Sequence, residues 1–446
     1  MTFSLTSTRH CRPQNRRTRP ERSCERNCLD KLRVGIGSPK GESRLAVDAN
    51  TERVQSVNHS VDVPYRHGVE RLEAFRFESG EVLPYVEIAY EAWGTLSPAR
   101  DNVVVICHAL TGDAHAGPGN PDGWWSGLIG PGKLLDTNTS FVLASNVLGG
   151  CAGSTGPSSL AADGHPYALR FPLVTVRDIV RAQVRLTEQL GVRRVQLVIG
   201  GSLGGMQAWE WPLVAPGLVE HAVVVAAHAA FPPLAIGYNQ AMRQAIVDDP
   251  DWQQGNYYGT GQVPAAGLNV ARAIGMLTYR TDELYLARFG RDGRVSAAVA
   301  PGEQPDPLWF EVGRERETLS PLAAFTEPQF AVESYLQYQG EKLLRRFDPN
   351  SYLYLSRAMD SHDIGRGRGG VAQALRHMES RLTVVAIDSD YLYGAQALKH
   401  TAEVARHSGV DCEYLELSSA YGHDAFLLEQ SRLAGLIADR LRGHRS

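Results

Sequence analysis

The stretch Val198-Ile199-Gly200-Gly201-Ser202-Leu203-Gly204-Gly205-Met206-Gln207-Ala208-Trp209 carries an apolar run into Gly-x-Ser-x-Gly and then into a helical pattern. This is the setting of a nucleophile elbow, a strained turn that projects a serine hydroxyl at the C-terminal edge of a sheet. Strand and helix must approach closely there, and Gly200 and Gly204 lack the side chains that would hold them apart. Alone, the pattern is often only a glycine-rich turn. A serine hydroxyl becomes a nucleophile when a histidine, oriented by an acid, takes its proton.

Around this stretch lie further short apolar runs, at Val103-Ile106, Phe141-Ala144, Val195-Ile199, Ala222-Val225 and Leu382-Ile387. Continuous runs of this length predict strands of a parallel sheet buried on both faces. Upstream, where order is expected to begin near Arg71, Phe75-Arg76-Phe77 and Tyr85-Val86-Glu87-Ile88-Ala89-Tyr90 alternate across Ser79-Gly80, as an antiparallel edge hairpin does. Arg177 to Leu190 has helical spacing and stops at Gly191, a suitable C-cap. From about Ala229 to Gly370 the strand pattern lapses into amphipathic stretches such as Ile236-Asp248 and Ala331-Phe347. Phe426, Leu427, Leu433, Leu436 and Ile437 predict one closing helix.

These patterns predict an α/β-hydrolase fold with a mostly parallel sheet and an inserted helical cap. The expected divisions are a basic, disordered extension over 1–60, the first part of the core over 61–228, the cap over 229–370 and the second part of the core over 371–446. The extension is set apart by Arg9, Arg12, Arg16, Arg17, Arg19, Arg22 and Arg26, which crowd a stretch without apolar periodicity.

In this fold the acid and the histidine follow the serine in that order. Asp390 and Asp388 both lie just past the strand ending at Ile387; spacing favours Asp390 and leaves Asp388 as its competitor. His423, in Tyr421-Gly422-His423-Asp424, follows the strand-like Tyr414-Leu417 and opens the last helix, which makes it the candidate base. An oxyanion hole needs preorganised N–H donors. The elbow offers that of Leu203, and the loop Cys107-His108-Ala109-Leu110-Thr111-Gly112-Asp113 offers that of Leu110.

Composition narrows the function classes. Of 446 residues, 43% are hydrophobic and 21% charged, as in ordinary globular proteins, and the net charge of -4 gives no electrostatic footprint for nucleic acid. Cys11, Cys24, Cys28, Cys107, Cys151 and Cys412 show neither paired disulfide spacing nor a CxxC metal motif, which favours a reducing, cytoplasmic setting. No apolar run approaches the roughly 18 residues that span a bilayer, so no membrane association is expected.

The motifs together resemble the homoserine O-acetyltransferase family of methionine biosynthesis. The resemblance covers roughly Arg71 to Leu441 and rests on Cys107-Asp113, Asn146-Cys151 with Gly153-Ser159, and Gly200-Gly205. Further matches are Phe171-Pro172, Arg177-Asp178, Ala271-Arg272, Thr278-Tyr279, Ser361-Gly367, Ser389-Asp390 and Tyr421-Asp424. By that resemblance Ser202, Asp390 and His423 form a catalytic triad, Leu110 and Leu203 the oxyanion hole, and Arg272 and Asp424 the binding site for the amino-acid acceptor. It further implies acetyl-CoA and L-homoserine as substrates, ping-pong transfer through an acyl-serine, no permanently bound cofactor, no metal, and a homodimer. Leu203 stands where the family usually has methionine, a change that keeps the backbone N–H. The segment after Val225, with His228, Phe231 and Pro232-Pro233, also departs from the family pattern and is expected near the acyl or acceptor pocket.

Other readings share the triad. Relatives use succinyl-CoA or take serine as acceptor, and an esterase uses the same residues with water as acceptor. Arg272 and Asp424 favour an amino acid over water. Retention of Ser202, Asp390 and His423 together argues against a binding module without catalysis.

Overall fold

The computed structural model describes residues 63–291 and 320–442, and the expected disordered extension lies outside them. Eight strands form one sheet: β1 (Tyr65–Arg76), β2 (Val82–Trp93), β3 (Val103–Cys107), β4 (Phe141–Ser145), β5 (Val195–Gly201), β6 (His221–Val225), β7 (Arg381–Ile387) and β8 (Cys412–Leu417). Their order is β1-β2-β4-β3-β5-β6-β7-β8. The hairpin β1-β2 is antiparallel and joins β4 antiparallel, while every pair from β4 to β8 is parallel. Every residue of β3, β4 and β6 is buried, as expected for runs covered on both faces.

Order starts earlier than the sequence suggested. β1 begins at Tyr65, where it pairs with Trp93, because β2 is long enough to carry the ladder past Arg71. Its first residues are mostly exposed, which hid the alternation.

Two helices flank β5: α1 (Val176–Gln189) and α2 (Leu203–Val214). Thr175 and Asp178 close a capping box at the start of α1, and Gly191, with φ 73°, follows its end. Ile179, Met206 and Trp209 fill the core on this face of the sheet. The opposite core contains Trp125, Phe426, Leu433 and Ile437.

Between β6 and β7 the chain leaves the sheet through α3 (Pro233–Val247), α4 (Ala265–Tyr279), α5 (Asp282–Phe289), α6 (Pro321–Thr326), α7 (Ala331–Leu344), α8 (Pro349–Asp360) and α9 (Val371–Leu375). Met242, Leu268 and Tyr352 of these helices share one continuous core with α1 and α2. After β7 come α10 (Ala395–His407), α11 (Ala425–Leu428) and α12 (Gln430–Arg442).

The expected single closing helix is therefore two. It breaks at Glu429, with φ −105° and ψ 47°. Gln430 then accepts from the Gly127 N–H at 2.9 Å and donates to the Trp124 carbonyl at 2.8 Å, contacts that offset the interrupted helix.

Some family-like motifs are structural. Arg177 pairs with Glu78 at 2.8 Å and Glu210 at 3.2 Å, and Arg366 and Arg368 reach the same two carboxylates. This buried network ties the β1-β2 turn, α1, α2 and the segment after α8. Removing one partner would strand a charge, which explains its completeness.

Candidate active site

β5 runs directly into α2, and Ser202 occupies the bend with φ 59° and ψ −125°. The surroundings enforce this strained conformation. A Cβ on Gly200 would lie 2.5 Å from the Gly204 carbonyl oxygen, and one on Gly204 would lie 2.0 Å from that of Cys107. Only glycine fits at either position, and the Ser202 N–H is fixed to the Val225 carbonyl at 3.1 Å.

His423 sits in a single turn, Gly422–Asp424, after β8. Its Nδ1 lies 2.7 Å from Asp390 Oδ2, and the other Asp390 oxygen accepts the N–H groups of Leu392 and Tyr393 at 2.9 Å each. A carboxylate facing Nδ1 places the proton there, leaving Nε2 as the basic nitrogen. Nε2 is buried without a hydrogen-bond partner among the described residues. Asp388, the competitor on spacing, instead accepts the Ser419 N–H at 2.9 Å and braces the loop ahead of His423.

Leu203 is the first residue of α2, where a helix leaves its amides without intrahelical partners. Leu110 lies in a turn closed by the Gly112 N–H on the Ala109 carbonyl at 2.9 Å. His108 anchors that turn, bonding the Ala109 carbonyl through Nδ1 at 2.8 Å and accepting the Val147 N–H at Nε2 at 3.1 Å. Burial pushes the His108 pKa down, in keeping with a neutral ring that accepts at Nε2.

Ser202 and His423 open into one cavity of about 570 Å³, whose wall includes Leu110, Arg272, Tyr279 and Asp424. This volume exceeds what an acetyl group needs and suits two substrates meeting at the serine. Arg272 Nε is buried without a hydrogen-bond partner among the described residues.

The α/β hydrolase fold family matches residues 102–429. The homoserine O-acetyltransferase of Symbiobacterium thermophilum is 48% identical over 358 residues, spanning 79% of this chain and 88% of that protein. That of Carboxydothermus hydrogenoformans is 42% identical, spanning 82% and 92%. The chain belongs to the homoserine O-acetyltransferase family. Among solved structures, homoserine O-acetyltransferase from Bacillus anthracis matches with a TM-score of 0.74 and 26% identity over 86% of this chain and 99% of that one. Esterase E22 matches with the same TM-score and 25% identity over 85% and 100%.

In this homoserine O-acetyltransferase family member, all seven site residues expected from sequence gather within one region. Asp424 is not free, however: its Oδ2 accepts from Arg280 Nε at 3.0 Å. The end of α4 is also tied to the loops bearing Asp390 and His423. The Tyr391 hydroxyl donates to the Leu277 carbonyl and, at 3.1 Å, to that of Arg280, while Thr281 donates to the Ala420 carbonyl at 2.6 Å.

His228 and Phe231, expected near the acyl or acceptor pocket, are not among the residues lining the cavity. They pack instead on Tyr393, with centroids 5.4 and 6.0 Å away. Sequence reading passed over Arg280 and Tyr393, because neither belongs to a catalytic motif and each acts through partners distant along the chain.

Proposed function

We propose that the chain transfers an acetyl group from acetyl-CoA to the side-chain hydroxyl of L-homoserine through an acyl-enzyme on Ser202. The observation that carries this reading is that Ser202 and His423 both line one cavity, with His423 Nε2 unpartnered among the described residues and Asp390 behind the imidazole.

His423 takes the Ser202 proton as Oγ attacks the thioester carbon. The N–H groups of Leu110 and Leu203 receive the oxyanion, and CoA leaves as the thiol. Homoserine's hydroxyl then attacks the acetyl-serine while His423 accepts its proton, and Ser202 departs with that proton returned. Arg272 holds the acceptor's α-carboxylate and Asp424 its α-ammonium, chemistry suited to a guanidinium and a carboxylate. No step calls for a metal or a resident cofactor. A cytoplasmic homodimer joined through the helices between β6 and β7 completes the proposal; Val270, Leu277 and Tyr338 there are roughly half exposed.

Thiol release from acetyl-CoA and succinyl-CoA, each with homoserine or serine, tests the reading in wild type and Ser202→Ala. Release from acetyl-CoA that requires homoserine and vanishes in Ser202→Ala supports it. Preference for succinyl-CoA or serine changes the substrate and keeps the mechanism. The likeness to esterase E22 favours a second reading, hydrolysis, which predicts release without any acceptor.

A further inference from the structure

Tyr393 touches all three members of the proposed triad. Its backbone N–H donates to Asp390 Oδ1 at 2.9 Å. Its ring stacks on the His423 imidazole, with centroids 4.7 Å apart and planes 17° apart. Its hydroxyl neighbours that of Ser202 without completing a hydrogen bond to it.

The ring cannot wander. His228 stacks on it with an interplanar angle of 27°, and Phe231 lies against it at 46°. The side chain is fully buried, and its hydroxyl completes no hydrogen bond among the described residues. A dry, unpartnered O–H is costly, and phenylalanine would fill the same space without that cost. The hydroxyl therefore finds its partner in another state of the site. Burial raises its pKa, so it stays protonated and able to donate.

We propose that Tyr393 is a further catalytic group, whose hydroxyl donates a hydrogen bond to Ser202 Oγ while that oxygen attacks or leaves. The proposal rests on the reading of Ser202 as the nucleophile. In acylation the Ser202 proton passes to His423 Nε2 as Oγ bonds to the acyl carbon. In deacylation the bond between that carbon and Oγ breaks, its electron pair stays on Oγ, and His423 returns a proton. Negative charge grows on Oγ in both directions, and a donor held in place by two stacked imidazoles stabilises it without reorganising. The phenol itself exchanges no proton.

Tyr393→Phe keeps the ring and removes only the hydroxyl. With p-nitrophenyl acetate as an uncharged acyl donor, and with acetyl-CoA and homoserine, we expect acylation and deacylation to slow roughly tenfold. KM for both natural substrates should stay within about twofold, and Tm should hold or rise. Wild-type rates in Tyr393→Phe overturn the proposal. So does a Tm loss matching that of Tyr393→Leu, which also removes the stack. If wild type is acylated by p-nitrophenyl acetate but fails to acetylate homoserine, the substrate reading falls; slower acylation in Tyr393→Phe then still supports this one. A wild type that forms no acetyl-serine from either donor overturns both.

Discussion

Arg280 Nε and Asp424 Oδ2 are 3.0 Å apart, and both side chains are about six-sevenths shielded from solvent. The pair turns one carboxylate oxygen toward Arg280, and in the proposed function the other would meet the acceptor's ammonium. Arg280 also follows α4, the helix that carries Arg272, so both ends of the proposed acceptor site hang on one element.

Replacing Arg280 with leucine should therefore raise KM for homoserine about tenfold, the scale of a lost charge-assisted hydrogen bond. KM for acetyl-CoA should change little. Steady-state kinetics on both substrates check this, and Arg280→Lys should recover part of the loss.

Asp390→Asn keeps the shape beside His423 but replaces the acceptor that holds the Nδ1 proton. We expect kcat to fall by about 10⁴-fold, with circular dichroism unchanged. Asp388→Asn, which alters only a loop brace, should keep kcat within about threefold.

Gly204→Ala would place a methyl carbon 2.0 Å from the Cys107 carbonyl oxygen. Backbone atoms cannot yield as a flexible side chain would, so β3 and α2 must separate. Denaturant unfolding should show a loss of about 3 kcal/mol, along with loss of activity.

His115 gives a pH prediction. Its Nδ1 lies 2.9 Å from Glu91 and its Nε2 2.7 Å from the Pro121 carbonyl, so both nitrogens face acceptors. Burial lowers its pKa, but the Pro121 carbonyl and the carboxylates of Glu91 and Asp113 outweigh that and raise it overall. The folded-state pKa exceeds the unfolded one. The stabilisation is thus full below about pH 6.5 and is lost as pH rises through the raised folded value. Subtracting the Tm of His115→Gln from that of wild type across this window should give a difference that shrinks with rising pH; a flat difference contradicts the assignment.

What the sequence made legible followed physical periodicity. β3, β4 and β6 each announced themselves as short runs without polar interruption, β5 and β7 as runs broken only by Gln196 and Thr383, and the elbow was readable because glycine alone fits at Gly200 and Gly204. Spacing favours Asp390 but leaves Asp388 as a competitor, since two residues along a turn separate a loop brace from the partner of His423. Tyr393 was silent for a different reason. Its neighbours His228 and His423 lie far along the chain on either side, and stacking leaves no local pattern. The break at Glu429 was hidden because Gln430 draws its compensation from Gly127 and Trp124, some three hundred residues away.

β1 forms an outer boundary of the sheet among the described residues, twelve residues long and paired on one side by β2. Such a border is a template on which another chain can add a strand. Here Arg66, Arg71 and Arg76 recur every five residues along it, all exposed, with Glu73 the exposed acid between the latter two. Arg71 is paired with Glu73 at 2.8 Å, and a second copy added in parallel register would set Arg66 and Arg76 against their own counterparts. Like charges set opposite one another disfavour that pairing, so β1 is a poor template for a further strand in that register.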